Sequence, residues 1–389
     1  MPCAGKSSVP WASGSYRSAR SSSAPEPPKV TSPSTWSSFE TRISSWPAKR
    51  PIAFSTAFAT TSCWSSSGSC ATSSAQRTST IAIRVERRRL DNCLTPLTTT
   101  PMPTLDDKHW FTEVEDGAGS AFSLRIRCKL HQERSEYQTI EVYETEHFGN
   151  LMVIDGFTML SSRENFLYHE MLAHPVLLTH PAPKRVCIIG GGDCGTLREV
   201  LKHQDVEQVT QIDIDERVTR VAEQFFPALT ASNGDPRAKL LFADGIQWMA
   251  DAEPGGLDVV IVDSTDPVGP AQGLFTADFY SDCRRALADD GLLVQQSESP
   301  LLHLDIIAGM HQDLRTAGFG AVRTLFFPQT IYPSGWWSAT MAAAGERIPD
   351  FRRIDDAGTV LRTTYYNADI HAAALAQPEF VRRRLAALD

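Results

Sequence analysis

Two carboxylates stand three residues apart in the segment Asp263-Ser264-Thr265-Asp266-Pro267, directly after the apolar run from Leu257 to Val262. The apolar run has the composition and length of a buried strand, so both acids lie where that strand ends. An upstream glycine-rich segment, Gly190-Gly191-Gly192-Asp193-Cys194-Gly195, follows another apolar run and also carries an acid. Open α/β sheets bind ligands in the crevice outside the carboxyl ends of their strands. Acids at two such ends favour a cationic ligand and an amine that must lose a proton.

The glycine-rich segment also satisfies the dinucleotide-binding pattern Gly190-x-Gly192-x-x-Gly195, and Asp213 follows about twenty residues later. Taken alone, this pattern indicates NAD. In a dinucleotide enzyme, however, the amides of this loop receive a pyrophosphate, and the carboxylate of Asp193 would repel it. An S-adenosyl compound carries a positive sulfonium and no phosphate, so the same carboxylate does not oppose its binding.

Acids at two further strand ends suit a nucleoside. Asp213 is placed for the ribose hydroxyls, and Asp244, followed by Gly245, is placed for the adenine amino group. Each of these aspartates, taken alone, fits equally well as the N-terminal cap of the next helix, and Asp215 is an alternative cap for the helix that begins near Glu216. The occurrence of acids at successive strand ends favours the nucleoside site.

The hydrophobic periodicity predicts two structured regions. Residues 109–165 contain short strand-like runs, which indicate a small antiparallel β-sheet. In residues 166–345 one helix is followed by apolar strands that alternate with amphipathic helices, which indicates a parallel sheet covered on both faces. Residues 346–389 are a C-terminal extension. The predicted fold class is α/β, a Rossmann-like fold of the S-adenosylmethionine-type methyltransferase kind with a small N-terminal antiparallel β domain.

The individual elements follow from the same periodicity. The predicted strands are Ser123–Lys129, Gln138–Tyr143, Leu151–Ile154, Val186–Ile189, Val209–Ile214, Ala238–Ala243, Leu257–Val262 and Leu292–Gln296, with Ala321–Phe327 and Trp336–Ala342 as an antiparallel edge. The predicted helices are Phe166–Leu178, Thr196–His203, Glu216–Phe226, Gly245–Ala250, Thr276–Ala288 and the basic stretch Phe380–Leu388.

Charge and cysteine usage exclude several classes of protein. The chain of 389 residues has a net charge of -9, but residues 1–101 hold twelve Lys or Arg against four Asp or Glu, so the remainder is strongly acidic. Nucleic-acid binding needs a basic footprint, which the acidic part lacks. No apolar stretch reaches the roughly 18 residues that span a bilayer, so we expect no membrane association. The eight cysteines form no CxxC pair, and the histidines lack metal-ligand spacing, which favours a cytoplasmic protein without a metal site.

Residues 1–101 are rich in Ser, Thr, Pro and Arg and show neither helical nor strand periodicity. We expect no packed domain there, but a disordered or non-native extension. A basic leader with few acids also fits an organelle transit peptide. The segment Met102-Pro103-Thr104 looks like a native start, however, and favours an extension that arises from a misplaced translation start.

From residue 109 to residue 375 the sequence resembles the spermidine synthase family, the polyamine aminopropyltransferases. The segments that carry the resemblance are Tyr137-Gln138-Thr139-Ile140, Tyr168-His169-Glu170-Met171, Ile188-Ile189-Gly190-Gly191-Gly192-Asp193, Leu197-Arg198-Glu199-Val200-Leu201-Lys202-His203, Asp263-Ser264-Thr265-Asp266-Pro267 and Tyr332-Pro333-Ser334-Gly335. The resemblance implies transfer of an aminopropyl group from decarboxylated S-adenosylmethionine to putrescine, which gives spermidine and methylthioadenosine. It implies no cofactor besides this co-substrate, and a homodimer or homotetramer with the sheet at 109–165 as a contact.

The resemblance also implies a role for each site residue. The residues implied to surround the donor are Gln138, His169, Asp193, Asp213, Asp244, Gly245 and Pro270. The residues implied to surround the amine are Tyr168, Asp193, Asp263, Ser264, Asp266 and Tyr332. Asp263 is the implied catalytic base. We expect Asp193 to hold the ammonium group of the donor and to reject ordinary S-adenosylmethionine, whose carboxylate it would repel.

Several positions depart from the family pattern, and two rival functions stay open. Asp213 stands where a glutamate is more frequent, Cys194 where a second glycine is common, and Met159 where a glutamine is frequent. The rivals are an S-adenosylmethionine-dependent amine N-methyltransferase and a catalytically silent polyamine-binding protein. Asp193 argues against the first and Asp263 against the second. An NAD-dependent oxidoreductase ranks below both.

Overall fold

The computed structural model describes residues 105–354 and 357–388, and these residues form two β-sheets. The predictions for residues 1–101 lie outside the described residues. The first sheet is an antiparallel meander in the order β1-β2-β3-β4-β5. Its strands are β1 Trp110–Glu115, β2 Ser120–Arg134, β3 Thr139–Thr145, β4 Asn150–Ile154 and β5 Phe157–Ser161. The small antiparallel sheet is therefore confirmed, with β1 and β5 as additions to the predicted strands.

The second sheet has seven strands in the order β11-β12-β10-β9-β6-β7-β8. Its strands are β6 Arg185–Gly190, β7 Gln208–Asp213, β8 Ala238–Phe242, β9 Leu257–Asp263, β10 Leu287–Gln296, β11 Ala321–Pro328 and β12 Trp336–Ala343. Strands β6 to β10 pair in parallel, and β12 pairs antiparallel with both β10 and β11. The Rossmann-like fold class and the antiparallel edge are confirmed.

Helices cover both faces of the second sheet. They are α1 Asn165–Thr179, α2 Gly195–Val200, α3 Glu216–Phe225, α4 Pro227–Thr230, α5 Gly245–Ala250, α6 Ala277–Ala286, α7 Leu304–Thr316, α8 Ala357–Val360, α9 Ala368–Ala374 and α10 Glu379–Ala386, with 3₁₀ helices at Gly269–Phe275 and Pro333–Gly335. Successive strand residues point to opposite faces. Ile188 and Ile261 pack with α1, whereas Ile189 and Val262 pack with α5 and α6. Both faces of these strands are buried, which explains their unbroken apolar sequence.

Helix α1 passes through Pro175, where the sequence pattern predicts the closing turn of the helix to begin. A proline inside a helix removes one main-chain hydrogen bond and costs about 3 kcal/mol. Every residue from Leu167 to Thr179 is buried, and this packing holds the helix through the proline. Helix α7 is an addition to the predicted helices.

The direction in which strands are added reverses between β6 and β9. The chain places β7 and β8 on one side of β6, and then β9 and β10 on the other. The carboxyl ends of β6 and β9 therefore flank a topological switch point, the place where ligands bind in open α/β sheets. Gly190 and Asp263 are paired residues across this ladder. The glycine-rich segment and the Asp263 segment are thus direct neighbours.

Candidate active site

A cavity of about 160 Å³, here called the main cavity, lies at the switch point. Its lining includes all but one of the predicted site residues, namely Gln138, Tyr168, His169, Asp193, Asp213, Asp244, Gly245, Asp263, Ser264, Pro270 and Tyr332. The exception is Asp266, which lines an adjoining cavity of about 40 Å³, here called the side cavity. The two cavities share the lining residues Met159, Tyr168, Ser264, Thr265 and Tyr332.

Both oxygens of the Asp263 carboxylate accept hydrogen bonds from neutral hydroxyl groups. Tyr168 donates to Oδ1 at 2.8 Å, and Thr196 donates to Oδ2 at 2.6 Å. Burial raises the pKa of Asp263 to about 6, and the negative charge of Asp193 adds to the rise, while the two hydroxyl donors oppose it. A carboxylate whose pKa lies just below neutrality is ionised at pH 7 and suited to accept a proton.

Thr196 is a site residue that the sequence did not reveal. It lies in the first turn of α2, directly after the glycine-rich loop, and is completely buried. A threonine at a helix start is usually taken for a cap, so its type and position carry no signal of a contact with β9. Burial raises the pKa of Tyr168 well above its ordinary value, so its hydroxyl keeps its proton and acts as a donor.

Two glycines of the loop allow close approaches that build the cavity wall. Gly190 has a φ of +82°, and a Cβ there would overlap the carbonyl oxygen of Asp263. A Cβ on Gly195 would overlap the imidazole ring of His169. Glycine is therefore required at both positions for the loop to touch β9 and α1. Gln211 anchors the glycine-rich loop by donating from its side-chain amide to the carbonyl oxygen of Gly191 at 2.9 Å.

Asp193 is held in place on the wall of the main cavity. Its Oδ1 accepts a hydrogen bond from the backbone N–H of Gly195 at 2.6 Å and lies 3.3 Å from Nε2 of His169. Burial is the largest single influence on the pKa of His169 and lowers it, but the charge of Asp193, the hydrogen bond to Asp193 and the charge of Asp263 together raise the net pKa. The carboxylate is thus fixed close enough to Asp263 for its charge to act on that residue.

The structure shows which aspartates cap helices at the ends of β7 and β8. Asp215 caps α3 by accepting from the N–H of Arg217 at 3.0 Å, which leaves Asp213 to face the main cavity. Burial raises the pKa of Asp213 to about 7. Asp244 caps α5 by accepting from Ile246 N–H at 2.8 Å and also lines the main cavity, so the capping role is shown and the predicted contact with adenine stays a prediction.

The first sheet supplies one wall of the main cavity through the loop before β3. Gln138 donates from Nε2 to Asp215 Oδ2 at 2.9 Å, and Ser135 donates to the same oxygen at 2.6 Å. These bonds anchor the loop to the end of β7. Gln138 and Asp213 both line the main cavity, and their contact with a common ligand stays a prediction.

Two departures from the family pattern have structural consequences. Cys194 adopts a φ of +67°, the left-handed conformation in which a glycine is unstrained. Met159 lines both cavities, and its backbone carbonyl accepts the hydroxyl of Tyr332 at 2.6 Å. Tyr332 also packs edge-on against Trp337, with ring centroids 4.6 Å apart. Tyr332 is thereby fixed where the two cavities meet.

The side cavity is acidic. Besides Asp266 it is lined by Glu113 and Glu115 of β1, and by His303, which precedes α7. Burial raises the pKa of Asp266 to about 9, and the neighbouring carboxylate of Glu298 adds to the rise. A cavity with this lining is suited to a cationic group.

Residues 105–354 and 357–388 contain neither a cluster of metal-binding side chains nor a membrane-spanning helix. Within those residues no group of three His, Cys, Asp or Glu side chains is arranged to hold a metal ion. Over the same part of the chain, no helix has the length and apolar character needed to cross a membrane.

Two family models match the chain. Residues 165–349 match the family model described as the spermine/spermidine synthase domain, and residues 109–162 match that described as the spermidine synthase tetramerisation domain. The chain belongs to the spermidine synthase family. It is a transferase, and the predicted family and class of enzyme are confirmed.

Curated relatives carry the name polyamine aminopropyltransferase. The protein from Methylococcus capsulatus is 64% identical over 275 residues, which cover 71% of this chain and 96% of the relative. The protein from Nitrosococcus oceani is 60% identical over 279 residues, which cover 72% of this chain and 98% of the relative. These identities extend over nearly the whole length of each relative and support aminopropyl transfer as the reaction type.

Solved structures of spermidine synthases have the same fold. One, in complex with the transition state analogue AdoDATO, is 32% identical with a TM-score of 0.68 and covers 74% of this chain and 99% of that chain. Another, from Thermotoga maritima, is 33% identical with a TM-score of 0.66 and covers 75% of this chain and 99% of that chain. The likeness includes both sheets, since nearly all of each solved chain is matched.

Proposed function

We propose that the enzyme transfers the aminopropyl group of decarboxylated S-adenosylmethionine to putrescine and releases spermidine and methylthioadenosine. The observation that carries the proposal is that Asp263 and Asp193 line the same cavity at the switch point, close enough for the charge of Asp193 to act on Asp263. The Asp263 carboxylate is suited to remove a proton, and the Asp193 carboxylate is suited to hold a cation. Names of the relatives and the transition state analogue bound to one of them support the same reaction type.

The nucleophile must first lose a proton. An alkylammonium group with a pKa near 10.4 is almost wholly protonated at pH 7, and making it a free amine there costs about 4.6 kcal/mol. Asp263 accepts this proton while Tyr168 and the backbone at Ser264 orient the amine toward the methylene carbon beside the sulfonium. The proton passes afterwards to solvent.

The transfer itself forms one bond and breaks one. The amine lone pair forms the new nitrogen–carbon bond, and the electron pair of the breaking carbon–sulfur bond stays on sulfur. The leaving group is a neutral thioether, so it needs no proton from an acid. One base therefore suffices, and the reaction calls for no cofactor besides the two substrates.

The main cavity is the proposed donor site. Asp193 holds the donor's ammonium group, and its charge opposes the carboxylate that ordinary S-adenosylmethionine would bring to the same place. The ribose and adenine groups are assigned to the acids at the ends of β7 and β8 and to their neighbours on the cavity wall. Those residues are Gln138, His169, Asp213, Asp244, Gly245 and Pro270.

The acceptor is placed across the junction of the two cavities. Tyr168, Ser264 and Tyr332 line both cavities, and Asp266 lines the side cavity. The reacting nitrogen of putrescine thus lies near Asp263, and its far ammonium group lies near Asp266. Putrescine is preferred as acceptor because it is the usual substrate that the family resemblance implies.

The match of residues 109–162 to a tetramerisation domain supports a homotetramer assembled through the first sheet, with a homodimer as the alternative. We place the enzyme in the cytoplasm because its cysteines form no disulfide pattern in the sequence. Light scattering of the purified protein measures the oligomeric state directly.

One assay tests the reaction. The purified enzyme is incubated with putrescine and either decarboxylated or ordinary S-adenosylmethionine, and the products are separated by chromatography. We expect spermidine from the decarboxylated donor alone. Methylputrescine formed from the ordinary donor would reassign the chain as an N-methyltransferase, and the absence of product with either donor would indicate a silent polyamine-binding protein.

A further inference from the structure

Glu298 is a buried carboxylate behind the wall of the side cavity, and no step of the proposed reaction uses it. Its side chain is only 1% exposed. Its backbone adopts a φ of +68°, a left-handed conformation that costs free energy in any residue with a long side chain. A buried carboxyl group on a strained backbone needs compensating contacts, which the surrounding residues supply.

The contacts of Glu298 hold its carboxylate toward the amine site. Oε1 accepts from Gln296 Nε2 at 3.3 Å, and the same amide donates to the carbonyl oxygen of Thr265 at 3.3 Å. Oε2 lies 3.0 Å from Nδ1 of His303, and this contact raises the pKa of His303. The Glu298 carboxylate is thereby placed within hydrogen-bonding reach of Asp266, which lines the cavity itself.

We propose that Glu298 is a positioning residue for the amine acceptor, acting through Asp266 as a carboxyl pair that receives the far ammonium group of a diamine. The inference rests on the proposed function, because it assigns the side cavity to the acceptor. Two carboxyl groups in contact away from bulk solvent retain one proton between them. An entering ammonium group takes the place of that proton, so diamine binding releases it.

The surroundings of the pair are consistent with this exchange. The groups that face Asp266 are Glu298 itself, Glu113 and Glu115 from β1, and Tyr332 from the loop before β12, while His303 contacts the far side of Glu298. Burial and the carboxyl groups of Glu298, Glu113 and Glu115 raise the pKa of Asp266 to about 9, so Asp266 stays protonated at neutral pH when no cation is bound. A cation bound beside the pair favours the ionised form of Asp266 instead.

A second observation points to an occupant of the side cavity. Trp337 lines this cavity, and its indole nitrogen is buried with no hydrogen-bond acceptor in the described part of the chain. A buried N–H without a partner is costly, so a water or ligand in the cavity is needed to accept from it. This unpartnered N–H beside the amine site is consistent with an occupant of the side cavity.

Calorimetry of diamine binding tests the pair without turnover. Putrescine is titrated into the full-length enzyme saturated with methylthioadenosine, in two buffers of different ionisation enthalpy, so that released protons are counted. We expect Glu298→Gln to release fewer protons than the wild type, by about half a proton or more at pH 7, because Asp266 is then less firmly protonated. Equal proton release in the two proteins would overturn the proposal.

Steady-state kinetics supply the second readout. Glu298→Gln should raise the KM for putrescine about tenfold and leave the KM for the donor unchanged. Glu298→Asn repeats the test with a residue that adopts the left-handed backbone more readily, and Glu253→Gln removes an exposed acid as the matched control. A donor KM that rises together with the acceptor KM would show general damage and contradict the assignment. A wild-type enzyme that makes no spermidine would instead reject the proposed function, while the count of released protons would still test the pair.

Discussion

Thr196 donates its hydroxyl hydrogen to Oδ2 of Asp263 at 2.6 Å, opposite the bond from Tyr168 to Oδ1. The two bonds come from α2 and α1, so elements on the same side of the sheet orient both oxygens of the proposed base. Hydrogen bonds to an ionised carboxylate lower its pKa. Thr196 and Tyr168 therefore help a buried acid to stay ionised at neutral pH.

Replacing Thr196 with valine removes one of these bonds at nearly constant volume. The pKa of Asp263 should rise, and the acid limb of the kcat profile should move upward by about one pH unit, because a hydrogen bond to a charged group contributes about 1.5 kcal/mol. The measurement is kcat between about pH 5 and pH 9 with both substrates saturating. Thr316→Val, which removes an exposed hydroxyl at the end of α7, is the control. An acid limb that stays in place would show that Thr196 does not act on the base.

Asp263→Asn tests the base itself. Asparagine keeps the size of the side chain but accepts no proton, so kcat should fall about 10³-fold. Binding of methylthioadenosine, followed by calorimetry, should be nearly unchanged because the donor contacts remain. Asp289→Asn, at an exposed position in β10, serves as the matched control. Turnover that persists in Asp263→Asn would remove the residue from its role.

Asp193→Asn separates charge from shape in the loop. The charge of Asp193 raises the pKa of Asp263, so removing it should lower that pKa and move the acid limb of kcat toward lower pH. The KM for decarboxylated S-adenosylmethionine should rise about tenfold or more, because the donor's ammonium group loses its partner. The preference for the decarboxylated over the ordinary donor should narrow at the same time. An unchanged preference would argue that other residues discriminate between the donors.

Gly195→Ala tests the close approach of the loop to α1. The added methyl group would overlap the ring of His169, and relieving the overlap should cost about 1–3 kcal/mol of stability and weaken donor binding. Gly309→Ala is the matched change, because a Cβ there meets no atom within 4 Å and the residue lies inside α7. The control should gain about 0.5–1 kcal/mol, since alanine favours the helix. Thermal unfolding of Gly195→Ala and Gly309→Ala measures the two effects. Equal melting temperatures would show that the close approach of Gly195 to His169 does not limit stability.

The central strands β6 and β9 of the second sheet are predictable because they are buried on both faces, which gives unbroken apolar runs such as Val186–Ile189. Helix α7 is harder to predict, although Leu304, Ile307, Met310 and Leu314 have helical spacing. Gly309 interrupts the middle of that pattern with a residue of low helix propensity. Strands β1 and β5 are short and lie in a half-exposed sheet, where apolar and polar residues alternate weakly.

The site residues at strand ends are predictable because parallel strands bring their carboxyl ends to one edge of the sheet. Asp193, Asp213 and Asp263 line one cavity for that reason. Thr196 and Glu298 are different, since each acts through a contact made across the fold. Thr196 is 67 residues from Asp263 in the chain, and only the packing of α2 against β9 reveals the contact. The sequence around either residue gives no sign of such a contact.

The ladder between β6 and β9 fixes the base next to the donor loop through main-chain pairing, as the partnership of Gly190 with Asp263 shows. Residues around Asp266, by contrast, come from β1, from the chain after β10 and from the segment before β12. The proposed base is thus positioned by the main-chain pairing of the sheet, whereas the proposed amine site is assembled from elements outside that ladder. Substitutions in the elements around Asp266 are therefore the place to start when a longer or shorter polyamine product is wanted, because they leave the β6–β9 ladder and Asp263 in place.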